Sequence, residues 1–267
     1  MDPDSEPDIE PDIRAVLAER DGAVIGCALL TPAQDGTTVL HVVTDPSERS
    51  SGLTDKLMGR AVAEAPASGT LHLWAMQAGR ADDELARRHG FSPERDLLQM
   101  RVPLPLPPAV LEATRPVVTR PFVPGQDDEA WLATNNRAFA GHLEQGSWTL
   151  AQLHDRLAAP WVELDGFLVA DDPDGAGLLG SCWTKIHRGR TPVLGEIYII
   201  AVDPAHHSRG WGRALTVAGL QFMSERGVRV GMLYTDATNE AAVALYRDLG
   251  FTVDHVDRSY RRDAPVS

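Results

Sequence analysis

Two stretches of this chain follow one plan, and that limits its fold more than any other feature. Residues 203–215, DPAHHSRGWGRAL, lead to AAVALYRDLGF at 241–251, while residues 45–57, DPSERSSGLTDKL, lead to ELARRHGF at 84–91. In each copy an Asp-Pro pair is followed by a glycine seven residues after the Asp (Gly52, Gly210), and a Gly-Phe pair closes the unit (Gly90-Phe91, Gly250-Phe251). A repeat of this length implies a duplicated domain, and 267 residues suffice for two domains of ordinary size.

Around these landmarks the pattern alternates. IRAVLAE (13–19) and AVIGCALL (23–30) read as strands joined across Asp21-Gly22, a hairpin signal. TTVLHVV (37–43) reads as a strand, LTDKLMGRAVAEA (53–65) as a helix, LHLW (71–74) as a strand and 81–88 as a short helix. VPLPLPPAV (102–110) carries four prolines and reads as an extended linker. The second copy opens with VVTR (117–120). Helices are expected near 127–138 and 149–157, strands near 166–171, 178–187 and 193–202, and a helix from Gly210 to about Glu225. A strand over 227–235, a helix over 239–248 and closing strands over 251–262 complete it. Strands alternating with helices and hairpins predict an α/β fold with a mixed sheet. The expected division is a tail at 1–12, a first domain at 13–101, a linker at 102–114 and a second domain at 115–262. Only 44 residues precede Asp45, so the first copy is short of an opening strand and two helices; a late start and a degenerate domain both account for this.

Composition excludes several classes. Net charge is −13, against the basic stripe that phosphate backbones require, so no nucleic-acid partner is expected. Six of the acids lie in residues 1–12, which hold one isoleucine and three prolines and are expected to be disordered. That segment has no apolar core of a signal peptide, and no apolar run approaches the ~18 residues that span a bilayer. Two cysteines, Cys27 and Cys182, suit a reducing compartment and form no metal cluster. A cytoplasmic monomer with no membrane contact and no metal is expected.

The loop His207-Ser208-Arg209-Gly210-Trp211-Gly212 follows a strand and opens an amphipathic helix. Its glycines let backbone N–H groups approach an anion, the helix dipole favours negative charge, and Arg209 and Arg213 add cations. This loop resembles the acetyl-CoA loop of the GCN5-related N-acetyltransferase (GNAT) superfamily, Gln/Arg-x-x-Gly-x-Gly/Ala, with His207 at the first position as a departure. The first copy has Arg49 and Gly52 in register but Thr54 where the last glycine belongs. The resemblance implies tandem GNAT domains, the first truncated, with acetyl-CoA as co-substrate.

Two proton-transfer groups stand out. Asn239 is a natural N-cap for the helix 239–248, on which Asn239, Val243 and Tyr246 share a face that looks toward the loop. In GNAT enzymes a tyrosine at this place commonly protonates the departing CoA thiolate. Glu196 starts the strand EIYIIAV, where Glu196, Tyr198 and Ile200 are expected on one side and Ile197 and Ile199 on the other. As a general base it could take a proton from an attacking amine. Glu196 and Tyr246 are expected on the same side of the sheet. Counted from the landmarks, they align with Thr38 and Ala86, so the first copy lacks both groups and one catalytic domain, the second, is inferred.

Within the superfamily, NNRAFAGHLEQGSWT (135–149), SCWTKIH (181–187), LGEIYIIAVDP (194–204) and LYTDATNEAAVALYRDLGF (233–251) resemble the mycothiol synthase family. That resemblance implies acetyl transfer to the cysteinyl amine of a cysteine–glucosamine–inositol conjugate. It implies acceptor contacts from Glu144, Lys185, Glu196 and Tyr234. It also implies cofactor contacts from Ile200, Ala201 and Val202, from His207, Ser208, Arg209, Gly210, Trp211, Gly212 and Arg213, and from Asn239, Glu240, Ala241, Ala242, Val243 and Ala244. A second, unproductive cofactor site would use Val42, Val43, Thr44, Arg49 and Gly52. His142 and His187 have no motif support and read as structural. Cys182 has no activating base nearby in sequence for a role as acyl carrier. Another amine acceptor, such as an aminoglycoside or a peptide N-terminus, and a CoA-binding module without turnover stay open as alternatives.

Overall fold

The computed structural model of the chain describes residues 13–33, 36–48, 51–66, 69–140, 146–175 and 177–263. The tail expected at 1–12 lies outside them. The chain forms two compact units, and neither is one continuous stretch: the first takes in residues 13–98, 236–238 and 255–263, the second 99–235 and 239–254.

The first unit contains β1 (Arg14–Arg20), β2 (Ala23–Pro32), β3 (Thr38–Thr44), α1 (Leu53–Glu64), β4 (Thr70–Ala75) and α2 (Arg80–Arg88). β1 and β2 pair antiparallel across Asp21 and Gly22, both at positive φ (53° and 80°), the geometry of a two-residue hairpin turn. β3 pairs antiparallel with β2 and parallel with β4. Alternate residues Val16, Ala28, Leu30 and Leu40 bury one sheet face against Leu57, Met58 and Ala61 of α1.

The last strand of the chain, β11 (Thr252–Asp263), pairs antiparallel with β4, from Arg258↔Ala75 to Asp263↔Thr70. Arg258 clasps Asp96 and Asp83, and the Tyr260 hydroxyl donates to Asp83 at 2.7 Å. The end of the repeat's second copy thus belongs to the first unit, unlike the division at 101 and 115 read from the sequence. A strand's partner is set by non-local pairing that its own residues do not encode.

The second unit begins within β5 (Ser92–Pro103), a strand that the linear pattern does not announce. The Pro-rich stretch after it is packed: Leu104 and Leu106 are buried, the Leu104 N–H donates to the Arg229 carbonyl, and α3 (Pro108–Glu112) follows. Then come β6 (Arg120–Pro121), α4 (Asp128–Ala138), α5 (Leu150–Leu157), β7 (Phe167–Asp171), β8 (Leu178–His187), β9 (Leu194–Val202), α6 (Trp211–Glu225), β10 (Val230–Asp236) and α7 (Glu240–Asp248). Strand order is β10-β9-β8-β7-β6. β9 and β10 are parallel, and the rest pair antiparallel.

Both faces of β8 and β9 are covered. On one, Cys182 and Ile197 meet α6 so closely that a Cβ on Gly219 would lie 2.5 Å from the Cys182 sulfur. On the other, Trp131 of α4 and Leu153 of α5 seal a cluster of Phe122, Phe167, Trp183 and Ile199. Phe167 stacks between Phe122 (4.3 Å) and Trp183 (4.2 Å), and Trp131 Nε1 donates to Ser181 Oγ at 2.9 Å.

Candidate active site

β8 and β9 run in register from Gly180↔Val202 to Trp183↔Ile199, then shift, so that Thr184 pairs with Ile197 and Lys185 with Glu196. Tyr198 is the extra residue of a β-bulge. The bulge changes the expected alternation. Ile199 joins the Trp131–Trp183 cluster, on the same side as Tyr198, whereas Ile200, paired with Cys182, falls on the α6 side.

Glu196 lies on the face away from α6, since its neighbour Ile197 points at Gly219 of that helix. It is 8% exposed, and its Oε2 lies 2.7 Å from His187 Nε2. The Lys185 ammonium does not reach toward it. It sits 4.6 Å over the Trp161 ring and 5.5 Å from that of Tyr198. Arg156 also lies over Tyr198, whose hydroxyl is held above its ordinary pKa, chiefly by burial. Tyr234 on β10 accepts a hydrogen bond from Gln99 Nε2 at 2.6 Å. Glu144 and His142 lie outside the described residues.

Pairing between β9 and β10 ends at Ile197↔Leu233, although β9 continues to Val202 and β10 to Asp236. Beyond that pair the strands part and leave an open edge along Tyr198–Val202. Tyr246 reaches this region from α7. The helix is capped by Asn239, whose side chain accepts from the Ala242 N–H at 3.1 Å, and it buries Val243 and Tyr246. Burial, then the nearby Cys182 thiol, pushes the Tyr246 hydroxyl up to about 12.

Glu196 and Tyr246 do not share a face, contrary to the expectation from sequence. α6 and α7 both lie on one side, where a Cβ on Gly212 would meet Leu245 at 3.6 Å, and strand alternation turns Glu196 to the other. The parting of β9 and β10 is what joins the two faces. Cys182 is fully buried and its thiol is pushed up to about 12 by burial, which disfavours the thiolate that an acyl carrier needs.

The glycine loop opens α6 with Gly210 at φ 80°, a left-handed conformation that favours glycine; Gly52 repeats it before α1 at φ 74°. His207 Nε2 lies 3.0 Å from the Val202 carbonyl, and the Asp203 side chain accepts from the Ala205 N–H. Ser208, Arg209 and Gly210 are exposed, whereas Gly212 is half-buried. Arg213 is engaged elsewhere, with Asp248 and Thr114, so it is no free cation for an anion. The sequence reading missed Arg115. Its guanidinium lies 3.3 Å from the Trp211 ring centre and donates to the Arg209 carbonyl, and no local motif marks it.

In the first unit β3 and β4 part after Leu40↔Leu73, and a cavity of about 260 Å³ there is lined by Val42, Thr54, Met58 and Leu73. Thr54 Oγ1 lies 3.1 Å from Thr44 Oγ1, filling space that Gly212 leaves open in the second copy. Arg49 lies outside the described residues. Counting along the chain puts Thr38 opposite Glu196, but the bulged residue of β9 shifts the match by one, and by register Val39, paired with Thr31, stands where Lys185 pairs with Glu196; Ala86 stands where the second copy has Tyr246.

A glycine loop opening a helix beside two parting parallel strands, present twice, is the arrangement of an acetyl-CoA-dependent transferase. Residues 2–91 and 128–251 match the Acetyltransferase (GNAT) family, and the chain belongs to it, as a tandem N-acetyltransferase. Among its relatives are mycothiol acetyltransferases. That of Arthrobacter sp. (strain FB24) is 42% identical over 240 residues, covering 88% of this chain and 73% of its own length. That of Thermomonospora curvata is 42% identical over 258 residues, covering 94% and 83%. Among solved structures, a GCN5-related N-acetyltransferase from Sphaerobacter thermophilus superposes with a TM-score of 0.70 at 25% identity, covering 94% of this chain and 80% of its own. A tandem GNAT protein from the clavulanic acid biosynthesis pathway shares the fold at TM-score 0.69 and 18% identity, covering 96% and 84%.

Proposed function

We propose that the second unit transfers acetyl from acetyl-CoA to the cysteinyl amine of a cysteine–glucosamine–inositol conjugate, forming mycothiol. The acceptor is inferred from the likeness to mycothiol acetyltransferases. The chemistry rests on the end of β9–β10 pairing at Ile197↔Leu233, with Glu196 on one face of that opening and Tyr246 on the other. Pantetheine adds to the free edge of β9 as a strand would, its pyrophosphate against residues 207–213 and its thioester in the gap. The acceptor amine approaches from the side of Glu196, Lys185 and Tyr234, and Glu144 is a further proposed acceptor contact.

Glu196 takes the proton from the ammonium, whose ordinary pKa of about 7.7–8 demands only a weak base. The amine nitrogen then bonds to the acetyl carbon, the backbone N–H near Ile200 stabilises the oxyanion, and the second proton on that nitrogen is lost to water as the intermediate collapses, while Glu196 returns its own proton to solvent. As the C–S bond breaks, Tyr246 donates its proton to sulfur and is reprotonated from solvent. A phenol near 12 is a poor acid for a thiolate in water. Donation therefore requires that the apolar surroundings that raise Tyr246 also raise the basicity of the departing thiolate.

A second cofactor site is proposed for the first unit, using Val42, Val43, Thr44, Arg49 and Gly52 and lacking a proton-transfer pair; of these, Val42 lines the cavity. Assay of the full chain with acetyl-CoA and the cysteinyl pseudodisaccharide, beside aminoglycosides and peptide amines, tests this reading. Turnover restricted to the cysteinyl compound supports it. Preference for another amine changes the acceptor, and binding without turnover overturns the enzyme assignment. Glu196→Gln and Tyr246→Phe are each expected to lower kcat by about 10²-fold, and near-normal rates in both overturn the site.

A further inference from the structure

Glu196 does not stand alone in its cleft. His187 reaches it diagonally across β8 and β9, since the register pairs Lys185 with Glu196 and His187 with Leu194. Both side chains are enclosed, His187 at 21% exposed and Glu196 at 11%, with 2.7 Å between Nε2 and Oε2. The other charged groups around them are turned elsewhere. The Lys185 ammonium lies on Trp161, Arg156 lies over Tyr198 and Trp148, and Arg188 is engaged with Glu163 at 2.6 Å. From β10, the residue beside Glu196 is Met232, which does not titrate. Among the described residues His187 is therefore the hydrogen-bond partner of this carboxylate.

We propose that His187 is a positioning residue for the base: its Nε2–H donates to Glu196 Oε2, fixes the carboxylate rotamer and leaves Oε1 for the incoming ammonium. This rests on Glu196 acting as the base. A charge-assisted hydrogen bond restrains a side chain that would otherwise sample several rotamers. The first unit has neither partner: Val39 stands at the register position of Glu196, and no histidine occurs in β2. Removing the imidazole leaves the base less well aimed.

The test is steady-state kinetics of the full chain across pH for His187→Ala, His187→Gln, Glu196→Gln and the double variant His187→Ala/Glu196→Gln. His187→Ala is expected to lower kcat about tenfold, the scale of one charge-assisted hydrogen bond, with the KM for acetyl-CoA unchanged. His187→Gln, whose amide can still donate, recovers kcat to within about threefold of wild type. The double variant is no slower than Glu196→Gln, because the histidine acts through the glutamate. If His187→Ala does not fold, His187→Phe keeps the ring volume and carries the same expectations. A slow Glu196→Gln beside a His187→Ala of normal kcat overturns the positioning role alone, as does a double variant slowed by both factors. A fully active Glu196→Gln overturns the base and the positioning role together.

Discussion

The β2–β3 pair of the first unit and the β8–β9 pair of the second start from one plan and end differently. Both lead into Asp-Pro, and Gly26↔Thr44 and Gly180↔Val202 occupy matching register positions. From there the first pair runs without a shift to Pro32↔Thr38, whereas the second shifts between Trp183 and Thr184. That one bulged residue aligns Lys185 with Glu196 and places Tyr198 and Ile199 on the same side. The surroundings differ as well. Trp131 and Leu153, both fully buried, cover the β8–β9 face that carries Glu196. On the corresponding face of the first unit, Leu17 and Val43 stay 46% and 62% exposed. A bulge and an acidic side chain are held where packing closes both sides of the sheet. The β2–β3 pair, which has neither, keeps regular pairing.

The charge pairs behind the two loops diverge in the same way. In the first, Arg20 grips Glu48 through two hydrogen bonds of 2.6 and 3.0 Å; in the second, at matching positions, Asp172 meets His206 at 3.0 Å. The polarity is exchanged while the strand-to-loop tie is kept. The Asp172 carboxyl is held below its usual range first by the Asp174 N–H and then by His206, so this tie is complete above the ordinary carboxylate range and weakens as pH falls through that lowered value.

The sharpest contrast lies in turnover. Tyr246→Phe should lower kcat about 10²-fold, while Val39→Thr, at the register position matching Glu196, should leave it unchanged. A rate loss from Val39→Thr measured with the same acceptor would break the claim that one unit works. Because Tyr246 titrates near 12, kcat should show no fall attributable to it up to about pH 10, which a pH–rate profile checks. Packing follows in size. Trp131→Ala, emptying the cluster around Phe167 and Trp183, should cost about 3–5 kcal/mol in denaturant unfolding. Gly219→Ala puts a methyl against Cys182 and Ile197 and should cost about 1–3 kcal/mol. Val43→Ser, on the exposed face, should change stability by less than about 0.5 kcal/mol, and a larger loss would mean that this face is covered in solution.

Local pattern made much of this legible. The Asp21-Gly22 hairpin, α1, α6 and α7 follow from turn chemistry and periodicity, and the Asn239 cap forms as its residue type suggests. Other parts were hidden. β5 carries Arg95, Asp96, Gln99 and Arg101, polar residues that find partners in Asp236, Arg258, Tyr234 and Asp254, so its alternation does not read as a strand. Arg115 comes to Trp211 from 96 positions earlier in the chain, and His187 reads as structural until Glu196 lies beside it.

What the sequence determined by itself is the duplication, the loop chemistry and the inequality of the copies, because glycines, caps and the presence or absence of a carboxylate or phenol are local facts. Tertiary structure alone decided which unit the final strand completes, where β9 bulges, and that Glu196 lies on the face away from α6 while Tyr246 comes from α7 on the other side. Strand partnership and side-chain direction depend on pairing between distant segments, and a one-residue shift in that pairing reverses every face beyond it.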